Sequence, residues 1–240
     1  MTDASLRAAY PAGGLALVVG ATGGIGGAFV TALHASGAFA RVLAFSRSSA
    51  PALDLTDEGT IRLAAKAVAD TGLTLRLVID ATGFLHGSGF EPEKALRQFD
   101  PTHAAHAFAI NAIGPAMLMK HFLPLLPRAG RSAFVTLSAK VGSIGDNSLG
   151  GWYSYRASKA ALNQFVKTAA IELARNKPDA VCLAMHPGTV ASGLSQPFAK
   201  AGLDVRPPDV AVDQMLAVIA RLTPADTGGF LDYRGDRLPW

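Results

Sequence analysis

Short apolar runs alternate with longer amphipathic stretches along this chain. The runs cover residues 15–19, 41–45, 75–79, 132–137, 180–185 and 229–231. Within them apolar residues follow one another instead of alternating with polar ones. That pattern predicts strands covered on both faces by helices, as in a parallel sheet. The 3.6-residue rhythm predicts helices over 25–36, 56–69, 103–123, 153–175 and 208–220, with Gly37 and Pro178 as stop signals after the first and fourth. Strand–helix alternation builds right-handed βαβ units. The expected fold class is therefore α/β, a doubly wound and mostly parallel sheet with helices on both faces. Residues 51–55 read as a further short strand, 1–14 as an N-terminal extension, and 191–208 as a loop bordering a site. No repeat or linker-like change of composition divides the sequence, so 1–240 is expected to be a single domain.

Composition narrows the classes. Half of the 240 residues are hydrophobic and 17% are charged, which excludes a disordered chain and leaves ample material for a core. The net charge of +4 is spread without a basic run or an aromatic platform, so no nucleic-acid partner is expected. No apolar stretch approaches the ~20 residues of a membrane span, and 1–14 lacks the apolar centre of a signal peptide. The single cysteine, Cys182, excludes a disulfide framework and points to a reducing, cytoplasmic compartment. The six histidines show no ligand spacing and no metal is expected; His103 and His106 share a helix face but lack a third partner.

The first apolar run ends in Gly20-Ala21-Thr22-Gly23-Gly24-Ile25-Gly26, where a helix opens. Glycines there permit a tight turn and close approach of backbone to phosphate, and the helix N-terminus offers N–H groups to a pyrophosphate. Downstream stand Tyr155-Arg156-Ala157-Ser158-Lys159, Ile110-Asn111-Ala112 and Pro187-Gly188-Thr189-Val190. Taken together and in this order, these motifs resemble the short-chain dehydrogenase/reductase superfamily. The segments 141–144, 150–156 and 229–233 resemble its C-factor/sniffer-type carbonyl reductase branch.

The chemistry can be argued from the residues. Carbonyl reduction needs a proton donor at oxygen and a hydride donor at carbon. A tyrosine titrates near 10, too high for efficient exchange at neutral pH, unless a cation favours its phenolate. Lys159 lies one helical turn beyond Tyr155 on the same face and is expected to lower that value. Asn111, in an apolar helix, must find hydrogen-bond partners. The resemblance implies a Rossmann-type fold, a catalytic set of Tyr155, Lys159, Asn111 and a serine, ribose contacts from Lys159, and a proton-relay water at Asn111. The family's serine position falls on Ala139. Ser138, 17 residues before Tyr155, and Ser143, 12 residues before it, remain the candidates, with Ser143 favoured because a turn at Gly142 could aim it inward.

Cofactor choice is read after the second strand. Phe45-Ser46-Arg47-Ser48 carries a cation and a hydroxyl suited to a 2′-phosphate, so NADP(H) is expected over NAD. By resemblance Asp54 and Leu55 meet the adenine. Asp80-Ala81-Thr82-Gly83 replaces the family's N-N-A-G, with Ala81, Thr82 and Gly83 beside the ribose. Pro187, Gly188 and Val190 hold the carboxamide end, and Ser192 meets a phosphate. Gly20, Thr22, Gly23, Gly24, Ile25 and Gly26 complete the expected cofactor site. The expected partner is a small carbonyl or alcohol, its pocket formed by 84–90, the loop near Asp146 and 191–207, and a homo-oligomer is compatible with this reading. The other class open to such a chain is a cofactor-binding signalling protein of the C-factor type.

Overall fold

The computed structural model describes residues 2–87, 89–194 and 205–240. Six parallel strands form one sheet: β1 (Leu15–Val19), β2 (Arg41–Phe45), β3 (Leu75–Asp80), β4 (Ser132–Leu137), β5 (Ala180–His186) and β6 (Phe230–Asp232), in the order β2-β1-β3-β4-β5-β6. Strands β1 and β4 are buried along their whole length, as expected, whereas β2, at the edge of the sheet, exposes Arg41 and Ala44 and leaves Leu43 half-buried.

Because successive strand residues point to opposite faces, the sheet divides the interior into two cores. On one face Ala16, Val18, Ile79, Val135 and Leu183 pack beneath α1 (Thr2–Ala9), α2 (Gly24–Ser36) and α7 (Pro208–Ile219). On the other, Leu17, Val19, Val78, Phe134 and Cys182 pack beneath α3 (Glu58–Asp70), α5 (Gly114–Phe122) and α6 (Tyr153–Asn176). Helix α4 (Pro101–Phe108) lies against α6 and is joined to α5 by a π turn over Ala109–Ile113.

Three expectations need correction. Residues 51–55 are not a strand: the Leu53 N–H donates to the Ser46 carbonyl at 2.9 Å, and Leu53 enters the core, so the segment folds back over the end of β2. The N-terminal extension contains a helix, α1, whose Leu6 is fully buried with Tyr10 just beyond it. The helix read over 103–123 is two α-helices interrupted by the π turn that carries Asn111. Residues 195–204 of the expected substrate loop lie outside the described residues; its two ends meet through a bridge between Val190 and Arg206.

Candidate active site

From β1 the chain crosses to β2 on one side, and β3 lies on the other. Such a switch point opens a crevice at the carboxyl ends of the strands. The glycine turn fills it. Gly20 has φ +82°, and a Cβ on Gly26 would run into the Gly20 carbonyl, so neither position accepts another residue without strain. Helix α2 begins at Gly24 with no side-chain cap and no acidic residue in its first turn. Thr22, Gly23 and Gly24 are exposed and Ile25 is half-buried. The positive end of α2 is therefore open to an anion.

Beyond β2, Arg47 is exposed. Ser46 is nearly buried and its hydroxyl is engaged with Ser48, through Oγ at 3.1 Å and N–H at 3.2 Å, which leaves Arg47 the more available phosphate partner. Asp54 accepts from the N–H and hydroxyl of Thr56 at 2.8 and 2.7 Å; these bonds hold its carboxyl below the usual range. Leu55 packs on Gly114 at the start of α5.

The end of β3 is polar and buried. Asp80 is fully inaccessible; one oxygen accepts from Thr136 Oγ1 at 2.6 Å, and the other from Thr82 N–H at 3.1 Å and Thr82 Oγ1 at 2.6 Å. It thus ties β3 to β4. Burial pushes its carboxyl upward, against the pull of Thr136, Thr82 and, more weakly, Lys159. Ala81 donates to Val19 O at 2.9 Å, which sets this turn beside Gly20. A Cβ on Gly83 would lie 3.8 Å from both Asn111 Oδ1 and Lys159 Nζ, so those two side chains converge on one point.

Asn111 is inaccessible to solvent. Its amide accepts from Phe84 N–H and donates to Phe84 O, each at 2.7 Å, and donates to Ser158 Oγ at 3.1 Å. The side chain is therefore spent on structure, linking the π turn to the 84–90 loop and to α6. Lys159 is buried and donates to Leu137 O at 2.8 Å; burial lowers its pKa to about 8, with Asp80 opposing the shift.

Tyr155 is nearly buried on the same face of α6, and desolvation raises its pKa. This corrects the expectation that Lys159 lowers it: here burial dominates, and the ammonium is directed at the Leu137 carbonyl. The two serines differ in how their hydroxyls are used. Ser138 Oγ donates to Asn163 Oδ1 at 2.7 Å, so its proton is committed to α6. Ser143 Oγ accepts from the Asp146 N–H at 3.1 Å, which leaves its proton for another acceptor. Ser143 follows Gly142, where a Cβ would lie 2.7 Å from the Lys159 Cβ.

At the end of β5, Gly188 has φ +74° and a Cβ there would collide with the Arg206 guanidinium. Arg206 donates to Pro187 O at 2.8 Å and lies over the Tyr233 ring at 3.4 Å. Val190 is buried, and Ser192 approaches Gly24, whose Cβ would lie 3.8 Å from it. The P-G segment thus reaches across to the glycine turn.

Sequence reasoning missed Arg206, Arg156 and Glu93. Arg156 donates to the carbonyls of Gly151, Val141 and Gly150 at 3.0, 3.2 and 3.1 Å, clasping the loop after Ser143 to the residue beside Tyr155. Its place inside the tyrosine–lysine motif was a usable signal. His103 is buried against Glu93. Among the described residues, no three His, Cys, Asp or Glu side chains converge as a metal site, and no helix is long and apolar enough to cross a membrane.

The family model for short chain dehydrogenase matches residues 14–202. This chain belongs to the short-chain dehydrogenase family. The match spans every segment of the crevice up to the P-G loop and beyond it. Among relatives of this dehydrogenase, C-signal of Myxococcus xanthus is 35% identical over 147 residues, 61% of this chain and 84% of that one. Among solved structures, the NADPH-bound carbonyl reductase from chicken fatty liver superposes with a TM-score of 0.83 at 26% identity, covering 98% of both chains. The carbonyl reductase Sniffer of D. melanogaster gives 0.81 at 21% identity, covering 96% of this chain and all of that one, and so speaks for the fold alone. The match to C-signal meets the C-factor side of the likeness read in the sequence.

Proposed function

We propose that this short-chain dehydrogenase is an NADPH-dependent carbonyl reductase. The observation that carries the reading is the convergence of buried Asn111 and Lys159 beside Gly83, on the helix face that carries Tyr155, across from an uncapped helix N-terminus. A dinucleotide suits this crevice: the exposed backbone of Thr22, Gly23 and Gly24, at a helix start with no acidic residue in its first turn, would face its pyrophosphate. Residues 20–26 would receive the pyrophosphate, Arg47 the 2′-phosphate, Asp54 and Leu55 the adenine, 81–83 and Lys159 the riboses, and 187–192 the nicotinamide end. When bound, NADPH supplies a hydride.

The chain's own groups supply the rest. Tyr155, held protonated by burial, is in the form that gives a proton to an oxygen gaining negative charge. Ser143 keeps a hydroxyl proton to orient the carbonyl oxygen. Lys159, buried and directed at the Leu137 carbonyl, would hold the ribose beside Gly83. Asn111 fixes the geometry of α6 against the π turn. The chicken carbonyl reductase, bound to NADPH, supports both the cofactor and the reaction class.

The likeness to C-signal favours a second reading, a cofactor-binding signalling protein whose turnover is incidental. Oxidation of NADPH over a panel of ketones and aldehydes separates them. Turnover abolished by Tyr155→Phe supports the reductase; tight NADPH binding without turnover of any carbonyl sinks it.

A further inference from the structure

Glu93 lies in the polar segment between β3 and α4, yet its side chain is only 1% exposed. A carboxylate taken out of water needs partners. Glu93 finds them at the first turn of α6. Its two oxygens accept from the Ser154 N–H at 3.2 and 3.3 Å, and Oε1 also accepts from the Ser154 hydroxyl. The Glu93 backbone carbonyl accepts from the Trp152 N–H. The N-cap position of helix α6 makes no side-chain capping bond, and Trp152 there is in the left-handed region at φ 53°. Glu93 is thus a cap supplied from 61 residues away.

The same carboxylate faces α4. Its Oε1 is 3.4 Å from His103 Nδ1, and His103 is itself buried. The His103 ring stacks on Phe90, with centroids 4.9 Å apart and planes 6° from parallel, and Phe84 meets His106 edge-on at 4.5 Å. Phe84 is the residue whose backbone binds Asn111. A closed circuit therefore runs from α6 through Glu93 and His103 to the 84–90 loop, then through Asn111 and Ser158 back to α6.

We propose that Glu93 is a positioning residue for the reaction, the external cap that fixes the axial position and rotation of the first turn of α6 and hence the aim of the Tyr155 hydroxyl, with His103 tying that cap to the substrate loop. The proposal rests on the reductase reading above. Tyr155 follows Ser154 directly, so movement of the cap is transmitted to it with no intervening flexible residue. A carboxylate also suits the positive end of a helix, which an amide of the same shape does so less well.

The test is Glu93→Gln in the full chain. With NADPH and a turned-over carbonyl from the panel, kcat is expected to fall by ~10- to 100-fold, the scale of a small misplacement of reacting groups. The Kd for NADPH, read by nucleotide fluorescence, is expected to stay within about twofold, because the crevice is formed by other elements. The double variant with Ser154→Ala should be no slower than Glu93→Gln alone, since both break one contact. Amide hydrogen exchange should quicken at Ser154 and Tyr155. Unchanged kcat, or equal loss of kcat and NADPH affinity, overturns the proposal. Should Glu93→Gln fail to fold, Ser154→Ala carries the test with the same signs and a smaller fall in kcat, and no fall overturns it. A wild type inactive on every carbonyl removes the reductase reading instead; exchange at Ser154 and Tyr155 then decides whether Glu93 sets the first turn of α6, and unchanged exchange overturns that.

Discussion

Two helix N-termini in this molecule have opposite fates. Helix α2 opens at Gly24 with exposed glycines, no capping side chain and no acidic residue in its first turn. Helix α6 opens at Tyr153 under a buried carboxylate that takes both the N–H and the hydroxyl of Ser154. The same partial positive charge is thus left open at one helix and neutralised internally at the other. An open end can receive a mobile anion. A closed end can hold a side chain still. Nucleotide recognition and proton transfer call for these two properties, and the fold supplies them from two helices on opposite faces of one sheet.

The largest expected effect lies at the closed end. Tyr155→Phe removes one hydroxyl and leaves the caps and both cores alone, so NADPH affinity should persist. Turnover should fall by on the order of 10²–10⁴, the usual contribution of general acid–base catalysis; steady-state rates with wild type and variant measure it. Turnover at the wild-type rate would remove Tyr155 from the chemistry.

The open end can be closed deliberately. A Cβ at Gly24 meets nothing nearer than 3.8 Å, so Gly24→Asp fits sterically. It should help the helix and harm the nucleotide, weakening NADPH by ~10- to 100-fold, the equivalent of losing a charged hydrogen bond worth ~1.5–3 kcal/mol. Arg47→Ala should weaken NADPH over the same ~10- to 100-fold range and barely touch NADH, because only the former carries the extra phosphate. Parallel fluorescence titrations of both cofactors decide the matter. Equal weakening by Arg47→Ala would show that the selector lies elsewhere.

The serines sharpen the picture at smaller scale. Ser143→Ala deletes the hydroxyl whose proton is uncommitted and should cost about tenfold in kcat, roughly one hydrogen bond to a charged oxygen. Ser138→Ala deletes a bond to Asn163 and should register in the thermal midpoint more than in kcat. The reverse ranking would transfer the substrate contact to Ser138.

The smallest effect is a stability change of unusual sign. Folding lowers the Lys159 pKa from 10.5 to about 8, so the charged form is disfavoured in the fold. Below pH 8 both folded and unfolded chains carry the proton and the full penalty of roughly 3 kcal/mol applies. Between pH 8 and 10.5 the unfolded chain binds the proton more tightly, so wild-type stability rises with pH and the penalty is relieved. Lys159→Met loses the bond to Leu137 O, about 1 kcal/mol. It should still be more stable than wild type by ~1–2 kcal/mol at pH 7, with the gain fading toward pH 10.5, while turnover collapses. Denaturant melts across pH test this; a variant less stable at pH 7 would show that the hydrogen bond outweighs the buried charge.

What could be read from the sequence follows the range of the interactions involved. Strand β1 and the turn at Gly20 are settled within a dozen residues, by an apolar run and by glycines that must pass close to backbone, so both were legible. Tyr155 and Lys159 were legible because helix geometry fixes their relation. Glu93 was not, since nothing local separates it from Glu91, which is exposed; only the packing of a helix 61 residues away makes it a cap. Residues 51–55 misled because Leu53 is apolar for the sake of the core rather than a strand. The shift in Tyr155 was misjudged because proximity on a helix face says nothing about how thoroughly the protein excludes water.

The wide turn over Ala109–Ile113 makes the length of the chain, as distinct from its composition, part of the active site. An α-helix advances about 100° per residue, and a π turn absorbs an additional residue. Removing any one residue there would let the segment relax into an unbroken α-helix. Helix α4, with His103 and its stack on Phe90, would then swing by about 100° around the axis relative to α5. Substitutions at Ile110 or Ala112 leave that phase untouched. In a surface loop the tolerance runs the other way, since extra residues cost little and are absorbed by slack. This helix therefore keeps count, and an insertion or deletion within five residues would scramble a constellation that many changes of residue type would spare.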